Sequence, residues 1–234
     1  MPDVGVNDRR GVLFDMDGVL VSTEPLKGAA HSATVKVFGA DVPASLYMTV
    51  MGRSHSEVRD AFLKAAKLDI DAEIYSGEFR RIYADLLRSG VKLAPGAREL
   101  VDELATEGFA MAVVSSSQRW MIQRILNATG LVPLFRAVVS ANDIENEKPA
   151  PDAYQLALEE LGLHPGAAVA IEDSEAGIQA AKRAGVRVIG IRHELNKLHD
   201  FRGADAVFVS LRDRVAIMKS IHHLLASAAA VHTD

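Results

Sequence analysis

The sequence predicts an α/β fold, in which a Rossmann-like, doubly wound parallel sheet forms the core and an α-helical cap domain is inserted. From about residue 93 onward, short apolar runs rich in β-branched residues alternate with longer helical patterns, as in buried parallel sheets. Between about residues 24 and 92, apolar residues recur at helical spacing and no strand pattern is convincing. We therefore expect a core formed by residues 1–23 and 93–234 and a helical cap domain formed by residues 24–92.

Six apolar runs are the candidate strands. They are GVLF at residues 11–14 and the runs at residues 111–115, 137–141, 168–172, 186–191 and 206–210. The helical patterns that precede three of the loops stop at Gly108, Gly130 and Gly162, each at the position where glycine commonly ends a helix. Strand–helix alternation of this kind predicts right-handed crossovers and a doubly wound sheet.

The expected cap contains three amphipathic segments joined by polar turns. These segments read AAHSATVKVFG, HSEVRDAFLKAAKL and AEIYSGEFRRIYADLLRSG. An insert placed directly after the first strand would lie over the carboxyl ends of the sheet, where open α/β folds bind their ligands. We therefore expect the cap to cover the functional site.

Composition excludes several classes of protein. The chain has 234 residues, a net charge of −5 and scattered Lys and Arg, so it lacks the basic stripe of a nucleic-acid binder. It has no cysteine, which excludes disulfides and thiolate metal sites. No apolar run approaches the roughly 20 residues that span a bilayer, and the N-terminus lacks a signal-like apolar segment. We expect a cytoplasmic monomer or weak homodimer that binds neither nucleic acid nor membrane.

Two pairs of acids follow two of the predicted strands. Asp15 and Asp17 come directly after GVLF and precede Gly18, and Glu172 and Asp173 end the run at residues 168–172. A lone acid at a strand end most often caps backbone amides in a turn. Two pairs delivered to the same edge of a sheet would repel each other unless a cation lay between them, and carboxylate oxygens suit a Mg²⁺-sized ion.

Two further strand ends carry groups that bind phosphate. The VVSSSQ segment places Ser115 and Ser116 in a loop before a helix, where hydroxyls and free amides bind anions. The NEKPAPD segment supplies Lys148. Taken alone, a serine run is usually a helix cap and such a lysine is usually solvated. Together with the acid pairs they predict a pocket for a phosphate group and a metal ion.

These segments resemble a known family. FDMDGVL, VVSSS, KPAPD and IEDSEAGIQAAKRAG are similar to the four motifs of the haloacid dehalogenase superfamily, in the branch of β-phosphoglucomutase-like phosphatases. The resemblance covers nearly the whole chain and implies a Rossmann-like core with a helical cap inserted after the first motif. It implies that Asp15 is the nucleophile that becomes phosphorylated and that Asp17 is the general acid and base.

The resemblance also implies the ligands of the site. Ser115 and Lys148 would hold the phosphoryl oxygens. Mg²⁺ would be bound by Asp173, by a carboxylate oxygen of Asp15 and by the main-chain carbonyl of Asp17. Glu172 would either bind the metal directly or lie behind its ligands, and the residues leave both alternatives open.

The predicted function is a Mg²⁺-dependent phosphatase that hydrolyses a small phosphorylated metabolite, such as a sugar phosphate, through an aspartyl-phosphate intermediate. The alternative is a sugar phosphate mutase of the β-phosphoglucomutase type. Where the mutases of the family have a His and an Arg in the cap, this chain has Lys27 and His55, which favours the phosphatase. Gly52 and Arg53 are further candidates for substrate contact, although charged cap residues are more often solvated. A non-catalytic binding protein on this fold is the third hypothesis, and the intact core motifs disfavour it.

Overall fold

The computed structural model describes residues 9–51 and 53–230, in which six strands form one parallel sheet. The strands are β1 (Gly11–Phe14), β2 (Ala110–Val114), β3 (Ala137–Val139), β4 (Ala168–Glu172), β5 (Arg187–Ile191) and β6 (Ala206–Phe208). Their order in the sheet is β3-β2-β1-β4-β5-β6. The chain runs outward from β1 to one edge, returns to β4 beside β1 and then runs to the other edge. The prediction of a doubly wound, Rossmann-like sheet is confirmed.

The central strands are apolar throughout because both of their faces are covered. All residues of β1, β2 and β4 are buried. Successive side chains of a strand point to opposite faces. Val12 and Phe14 accordingly belong to a large hydrophobic cluster on one face, and Leu13 belongs to a second cluster on the other. The sheet therefore holds the carboxyl ends of its strands on a rigid support.

Eight α-helices accompany the strands in the described part of the chain. Three follow β1, namely α1 (Glu24–Val37), α2 (His55–Ala66) and α3 (Ala72–Gly90), with a 3₁₀ helix at Ala44–Thr49 between the first two. The other five are α4 (Ala97–Thr106), α5 (Arg119–Thr129), α6 (Asp152–Leu161), α7 (Glu175–Arg183) and α8 (Arg214–Ala230). None of these helices combines the length and the apolar composition that a membrane span requires.

Two strands end two residues earlier than the sequence predicts. The run at residues 137–141 forms a strand only to Val139, because the main-chain amide of Ser140 turns to the Asp143 carboxylate, 2.8 Å away. The run at residues 206–210 ends as a strand at Phe208, and the Ser210 hydroxyl accepts a hydrogen bond from the Arg212 amide in the following 3₁₀ turn. Local side-chain capping thus ends both strands before their apolar runs end.

The helices α1, α2 and α3 pack together beside the carboxyl edge of the sheet. Their mutual core includes three rings from one face of α3, which are Tyr75, Phe79 and Tyr83 and are spaced four residues apart. The chain leaves and re-enters the sheet through adjacent segments, since the Ser22 amide bonds to the Lys92 carbonyl over 3.2 Å. The inserted helical cap is therefore present, and the domain boundaries at residues 24 and 92 stay a prediction.

Candidate active site

The turn after β1 contains a glycine, Gly18, that the side chain of Asp173 approaches closely from the end of β4. Asp15 continues the sheet, because its amide bonds to the Ile171 carbonyl of β4 over 2.9 Å. Gly18 has a φ of +86°, and a Cβ atom added there would lie 2.1 Å from Oδ2 of Asp173. Only glycine allows both this backbone conformation and this approach. This turn therefore allows the acids that follow β1 and the acids that follow β4 to lie at the same edge of the sheet.

Three carboxylates meet at that edge. Asp15, Glu172 and Asp173 each offer an oxygen, and these oxygens lie within 4.8 Å of one another. Burial raises the pKa values of Asp15 and Asp173 well above their usual range, and the neighbouring carboxylates raise them further. Buried like charges require either protons or a cation between them. The cluster is therefore a group of hard oxygen donors that could hold a metal ion.

Lys148 lies between two of these acids. Its Nζ atom is 2.7 Å from Oδ1 of Asp15 and 2.6 Å from Oε1 of Glu172, and it also donates to the Val114 carbonyl over 3.0 Å. Burial alone would lower the pKa of Lys148, but the two carboxylates raise it above the ordinary value. The site therefore contains a fixed, buried ammonium beside Asp15.

Glu172 is completely buried, and both of its oxygens accept hydrogen bonds. Oε1 accepts from Lys148 and from the Tyr154 hydroxyl, the latter over 2.8 Å. Oε2 accepts from the main-chain amide of Asp173 over 3.1 Å and from the amide and hydroxyl of Ser174 over 3.2 and 3.0 Å. Glu172 thus fixes the positions of Lys148 and of the turn that carries Asp173.

Asp17 faces a different set of partners. Oδ2 accepts a hydrogen bond from the Ser117 hydroxyl over 2.8 Å and lies 2.9 Å from Nζ of Lys27, while Oδ1 accepts from the Thr23 hydroxyl. Burial opposes ionisation of this carboxyl, yet its pKa is lowered because the Lys27 ammonium and the hydroxyl donors stabilise the charge. Asp17 is therefore held as a carboxylate by groups from both the core and α1.

The serine loop after β2 closes the other side of the edge. The Ser115 amide bonds to the Val139 carbonyl over 3.0 Å, and the Ser115 hydroxyl accepts from the Ser117 amide over 3.1 Å. Ser116 and Gln118 follow on the way into α5, which begins at Arg119. The loop thus presents hydroxyl groups beside a helix N-terminus.

Most of these groups line one cavity of about 710 Å³. Nine of the predicted site residues contribute to its wall, which are Asp15, Asp17, Lys27, Arg53, His55, Ser115, Ser116, Lys148 and Asp173. Glu172 lies buried beside Lys148 instead of on the wall. Gly52 lies outside the described residues. The structure therefore brings the core motifs and the cap candidates to one space.

The cap wall of this cavity is largely aromatic. The rings of His31 and Phe79 stack with centroids 4.2 Å apart, and the His55 ring lies 5.0 Å from Phe79. Nδ1 of His31 pairs with the Tyr75 hydroxyl at 2.9 Å. Burial is the main cause that lowers the pKa of His31 to about 3, so this imidazole is neutral at pH 7. Tyr47 also belongs to the wall.

Two residues of the loop after β5 contact Asp173 and were not predicted from the sequence. Nε2 of His193 lies 2.9 Å from Oδ2 of Asp173, and Nδ2 of Asn196 donates to the Asp173 main-chain carbonyl over 2.8 Å. Both residues are about 20 positions from Asp173 in the chain. No local motif marks them, so only the pairing of β4 with β5 brings them to the site.

Three other contributors were also missed, namely Thr23, Glu24 and Tyr154. Thr23 and Glu24 have a local signal, because Thr-Glu-Pro is typical of a helix start and places both residues at the N-terminus of α1. Tyr154 follows Lys148 closely in the chain, and its contact with Glu172 depends on the packing of α6. These residues support or extend the site that the motifs predict.

Residues 12–191, more than half of the chain, match the profile of the haloacid dehalogenase-like hydrolases. The chain belongs to this family. The matched span contains the acids after β1, the serine loop, Lys148 and the acids after β4. The resemblance stated from the four motifs is thereby confirmed.

Curated relatives agree with the family. The chain is 32% identical over 191 residues to the "Phosphorylated carbohydrates phosphatase" of Thermotoga maritima. The aligned region covers 79% of this chain and 86% of that protein. The chain is 36% identical over 191 residues to "Protein SUPPRESSOR OF QUENCHING 1, chloroplastic" of Arabidopsis thaliana, covering 80% of this chain and only 18% of that protein. The chain thus spans less than a fifth of the second relative.

A solved structure has the same fold. The crystal structure of CbbY from Rhodobacter sphaeroides in complex with phosphate superposes with a TM-score of 0.78 at 30% identity, over 87% of this chain and 95% of that chain. Together with the family profile and the phosphatase relatives, this likeness confirms the predicted enzyme class, a phosphoric monoester hydrolase.

Proposed function

We propose that the protein hydrolyses a small phosphate monoester, such as a sugar phosphate, with Mg²⁺ and through an aspartyl phosphate on Asp15. One observation supports this proposal above the others. A buried ammonium, that of Lys148, lies 2.7 Å from one oxygen of Asp15, and a second carboxylate, Asp17, lines the same cavity. A cation that attracts phosphate, a nucleophile and a proton carrier are therefore within reach of one substrate.

In the first step, a carboxylate oxygen of Asp15 attacks phosphorus and the bond from phosphorus to the leaving oxygen breaks. Lys148 and the hydroxyls of Ser115 and Ser116 bind the phosphoryl oxygens, which reduces the repulsion between the substrate and Asp15. The leaving oxygen takes a proton from Asp17. Before this step Asp17 takes up a proton from solvent, because the incoming phosphate is a nearby like charge that disfavours the carboxylate and opposes the effect of Lys27 on its pKa.

In the second step, a water molecule attacks the phosphorus of the aspartyl phosphate. Asp17, now a carboxylate again, takes a proton from this water, and the bond from phosphorus to the Asp15 oxygen breaks. Inorganic phosphate is released and Asp15 returns to its starting state. The hydrogen bonds from Ser117 and Thr23 keep Asp17 in one orientation through both steps.

The acid cluster fits the ion that the family resemblance implies. Asp15 is buried, Asp173 is partly buried and both have raised pKa values, so a cation between them would relieve their repulsion. We propose that these two side chains and the main-chain carbonyl of Asp17 bind Mg²⁺, which supplies positive charge to the phosphoryl group. We further propose that Glu172 lies behind these ligands, because both of its oxygens already accept hydrogen bonds.

The cap residues favour hydrolysis over the mutase alternative. Lys27 is committed to an ion pair with Asp17 and a hydrogen bond to Glu24, and the His55 ring packs against Phe79. Neither residue is arranged to hold a sugar hydroxyl in line with phosphorus while water is excluded, as a mutase requires. The mutase therefore stays the second candidate. The expected cytoplasmic location and the monomer or weak homodimer stay predictions.

The test is a product analysis with Mg²⁺ and with EDTA. p-Nitrophenyl phosphate and a panel of sugar phosphates should release inorganic phosphate only when Mg²⁺ is present. With β-glucose 1-phosphate and a glucose 1,6-bisphosphate primer, any reaction should again give free phosphate. Rapid formation of glucose 6-phosphate with negligible free phosphate would show the mutase, and no reaction with any ester would reject both candidates.

A further inference from the structure

Glu24 has a carboxylate oxygen with no hydrogen-bond partner at the wall of the cavity. It is the first residue of α1, its exposed fraction is 9%, and it lines the cavity. Oε1 accepts a hydrogen bond from Lys27 over 3.3 Å. Oε2 is buried and no described residue donates to it within hydrogen-bond geometry, although the Tyr47 hydroxyl lies close enough to Glu24 for that contact to help raise the pKa of Tyr47. A buried acceptor without a donor is costly, so such an atom marks a place where a ligand donor would bind.

Glu24 lies where the leaving group of a substrate would pass. The preceding residue, Thr23, bonds to Asp17, the carboxyl that serves the leaving oxygen. The charge of Glu24 affects groups on both sides of the cavity. Together with burial, it raises the pKa of Tyr47 in the cap and the pKa of Asp173 in the core. Glu24 therefore lies between the phosphate end of the cavity and its aromatic cap wall.

The surroundings indicate what kind of donor Glu24 accepts. The Lys27 ammonium already forms ion pairs with both Glu24 and Asp17. Its pKa is raised because the effect of these two carboxylates is larger than the opposing effect of burial. The nearby wall of His31, Tyr47 and Phe79 is aromatic and suits the C–H face of a ring or chain. An alkyl leaving group would satisfy this wall but leave Oε2 unpaired, whereas a hydroxylated one would satisfy both.

We infer that Glu24 is a specificity-determining residue whose Oε2 accepts a hydrogen bond from a hydroxyl of the leaving group. The preferred substrates are then polyhydroxylated alkyl phosphates, the monophosphates of polyols and sugars, and unsubstituted alkyl phosphates are poor substrates. This inference rests on the proposed phosphatase function.

The test compares matched esters in matched variants. Glycerol 3-phosphate is paired with n-propyl phosphate, and glucose 6-phosphate is paired with cyclohexylmethyl phosphate. For each pair the ratio of kcat/KM is measured in the wild type and in Glu24→Ala and Glu24→Gln. Differences in the intrinsic reactivity of the esters, and any general effect of a variant on Asp17, cancel when the ratios are compared.

The wild type should favour the hydroxylated member of at least one pair by roughly 10- to 100-fold, the usual worth of a hydrogen bond to a charged group. In Glu24→Ala the ratio should fall by at least roughly 10-fold relative to the wild type, and Glu24→Gln, which keeps an acceptor, should retain part of the preference. Glu57→Ala is the control, because Glu57 also lines the cavity but its carboxylate is bonded to Ser54. Its ratio should equal that of the wild type.

Two outcomes would overturn the inference while leaving the phosphatase intact. One is hydrolysis of all four esters by the wild type with ratios near unity. The other is a strong preference for hydroxylated esters that persists in Glu24→Ala and Glu24→Gln, which would mean that another group reads the hydroxyl and that water satisfies Oε2. Failure of the wild type to hydrolyse any ester would instead reject the proposed function, and this inference with it.

Discussion

The core edge and the cap wall of the cavity differ in how completely their polar groups are paired. At the core edge, Lys148 bridges Asp15 and Glu172, and both oxygens of Glu172 are bonded. On the cap side, where neutral rings such as His31 line the cavity, the carboxylate of Glu24 has one unpaired oxygen. The groups proposed for the chemistry are therefore held in position before any ligand binds. The group proposed to select the ligand instead keeps an unpaired oxygen, to which the ligand would donate a hydrogen bond.

The two regions also shift carboxyl pKa values in opposite directions. Burial raises the pKa of Asp15 and Asp173 among their acidic neighbours. The pKa of Asp17 is lowered instead, mainly because Lys27 from α1 pairs with it against the effect of burial. The cap thus acts on two core carboxyls, since Lys27 lowers the pKa of Asp17 and Glu24 adds to the raised pKa of Asp173.

The largest expected effect comes from Asp15→Asn. A neutral amide is a poor nucleophile and a weaker metal ligand, so turnover of p-nitrophenyl phosphate should fall on the order of 10⁴-fold or more. Removing one charge from a crowded, buried cluster should keep or raise the melting temperature without metal. Near-normal turnover, or an unfolded variant, would mean that the core edge is not the prearranged chemical site described above.

Metal removal should be the next largest effect. EDTA should stop turnover, Mg²⁺ should restore it, and Ca²⁺ should substitute poorly because its coordination is longer and looser. Asp173→Ala should raise the Mg²⁺ concentration needed for half-maximal activity at least roughly 10-fold, as losses around metal sites commonly do. Asp102→Ala, at a surface ion pair with Arg98, is the matched control and should behave as wild type. Full activity in EDTA would contradict the metal site.

Lys27→Met tests the positive charge that the cap places beside Asp17. Without the ammonium the pKa of Asp17 should rise, so the limb of the pH–rate profile that requires protonated Asp17 should extend to higher pH. At neutral pH we expect kcat/KM to fall about 10-fold because Asp17 loses one of its positioning contacts. Lys197→Met, at an exposed position on the core, serves as the control. An unchanged profile would show that the cap does not set the protonation of Asp17.

The smallest effect concerns stability and belongs to the cap alone. His31 has a pKa of about 3 in the fold against an ordinary value of 6.5, so below pH 6.5 the unfolded chain binds more protons than the folded one. Stability should therefore fall as pH decreases from 6.5, by up to about 1.4 kcal/mol per pH unit. Urea unfolding at pH 7 and pH 5 should show this loss in the wild type and a smaller loss in His31→Phe. The surface variant His222→Gln should retain the full loss, and equal slopes in all three proteins would contradict the effect.

Much of the fold and of the core edge could be predicted because the relevant signals are local. Asp15, Ser115 and Glu172 each lie at or directly after the end of an apolar run. The same short segments therefore predict both the strands and the site residues. The parallel sheet then brings these strand ends together without further information. For this reason four short segments were enough to predict the cavity.

What could not be predicted depends on packing between distant segments. The contact of His193 with Asp173 requires β5 to lie beside β4, and the contact of Tyr154 with Glu172 requires the seating of α6. The unpaired oxygen of Glu24 is a property of all its neighbours together, and no residue pattern records it. The ends of β3 and β6 were also set by side chains that bond to the backbone and not by the apolar runs.

The most direct test of the account is to trap the intermediate that the core edge is proposed to form. Asp17→Asn should bind and transfer phosphate but release it slowly, with turnover reduced on the order of 10² to 10⁴, since the proton carrier is lost. Incubated with p-nitrophenyl phosphate, whose leaving group needs no acid, and Mg²⁺, then quenched in acid, this variant should gain the mass of one phosphoryl group. Peptide mapping should place that group on Asp15, and the double variant with Asp15→Asn should gain nothing. Burst release of nitrophenol without a phosphoryl group on Asp15 would contradict the account.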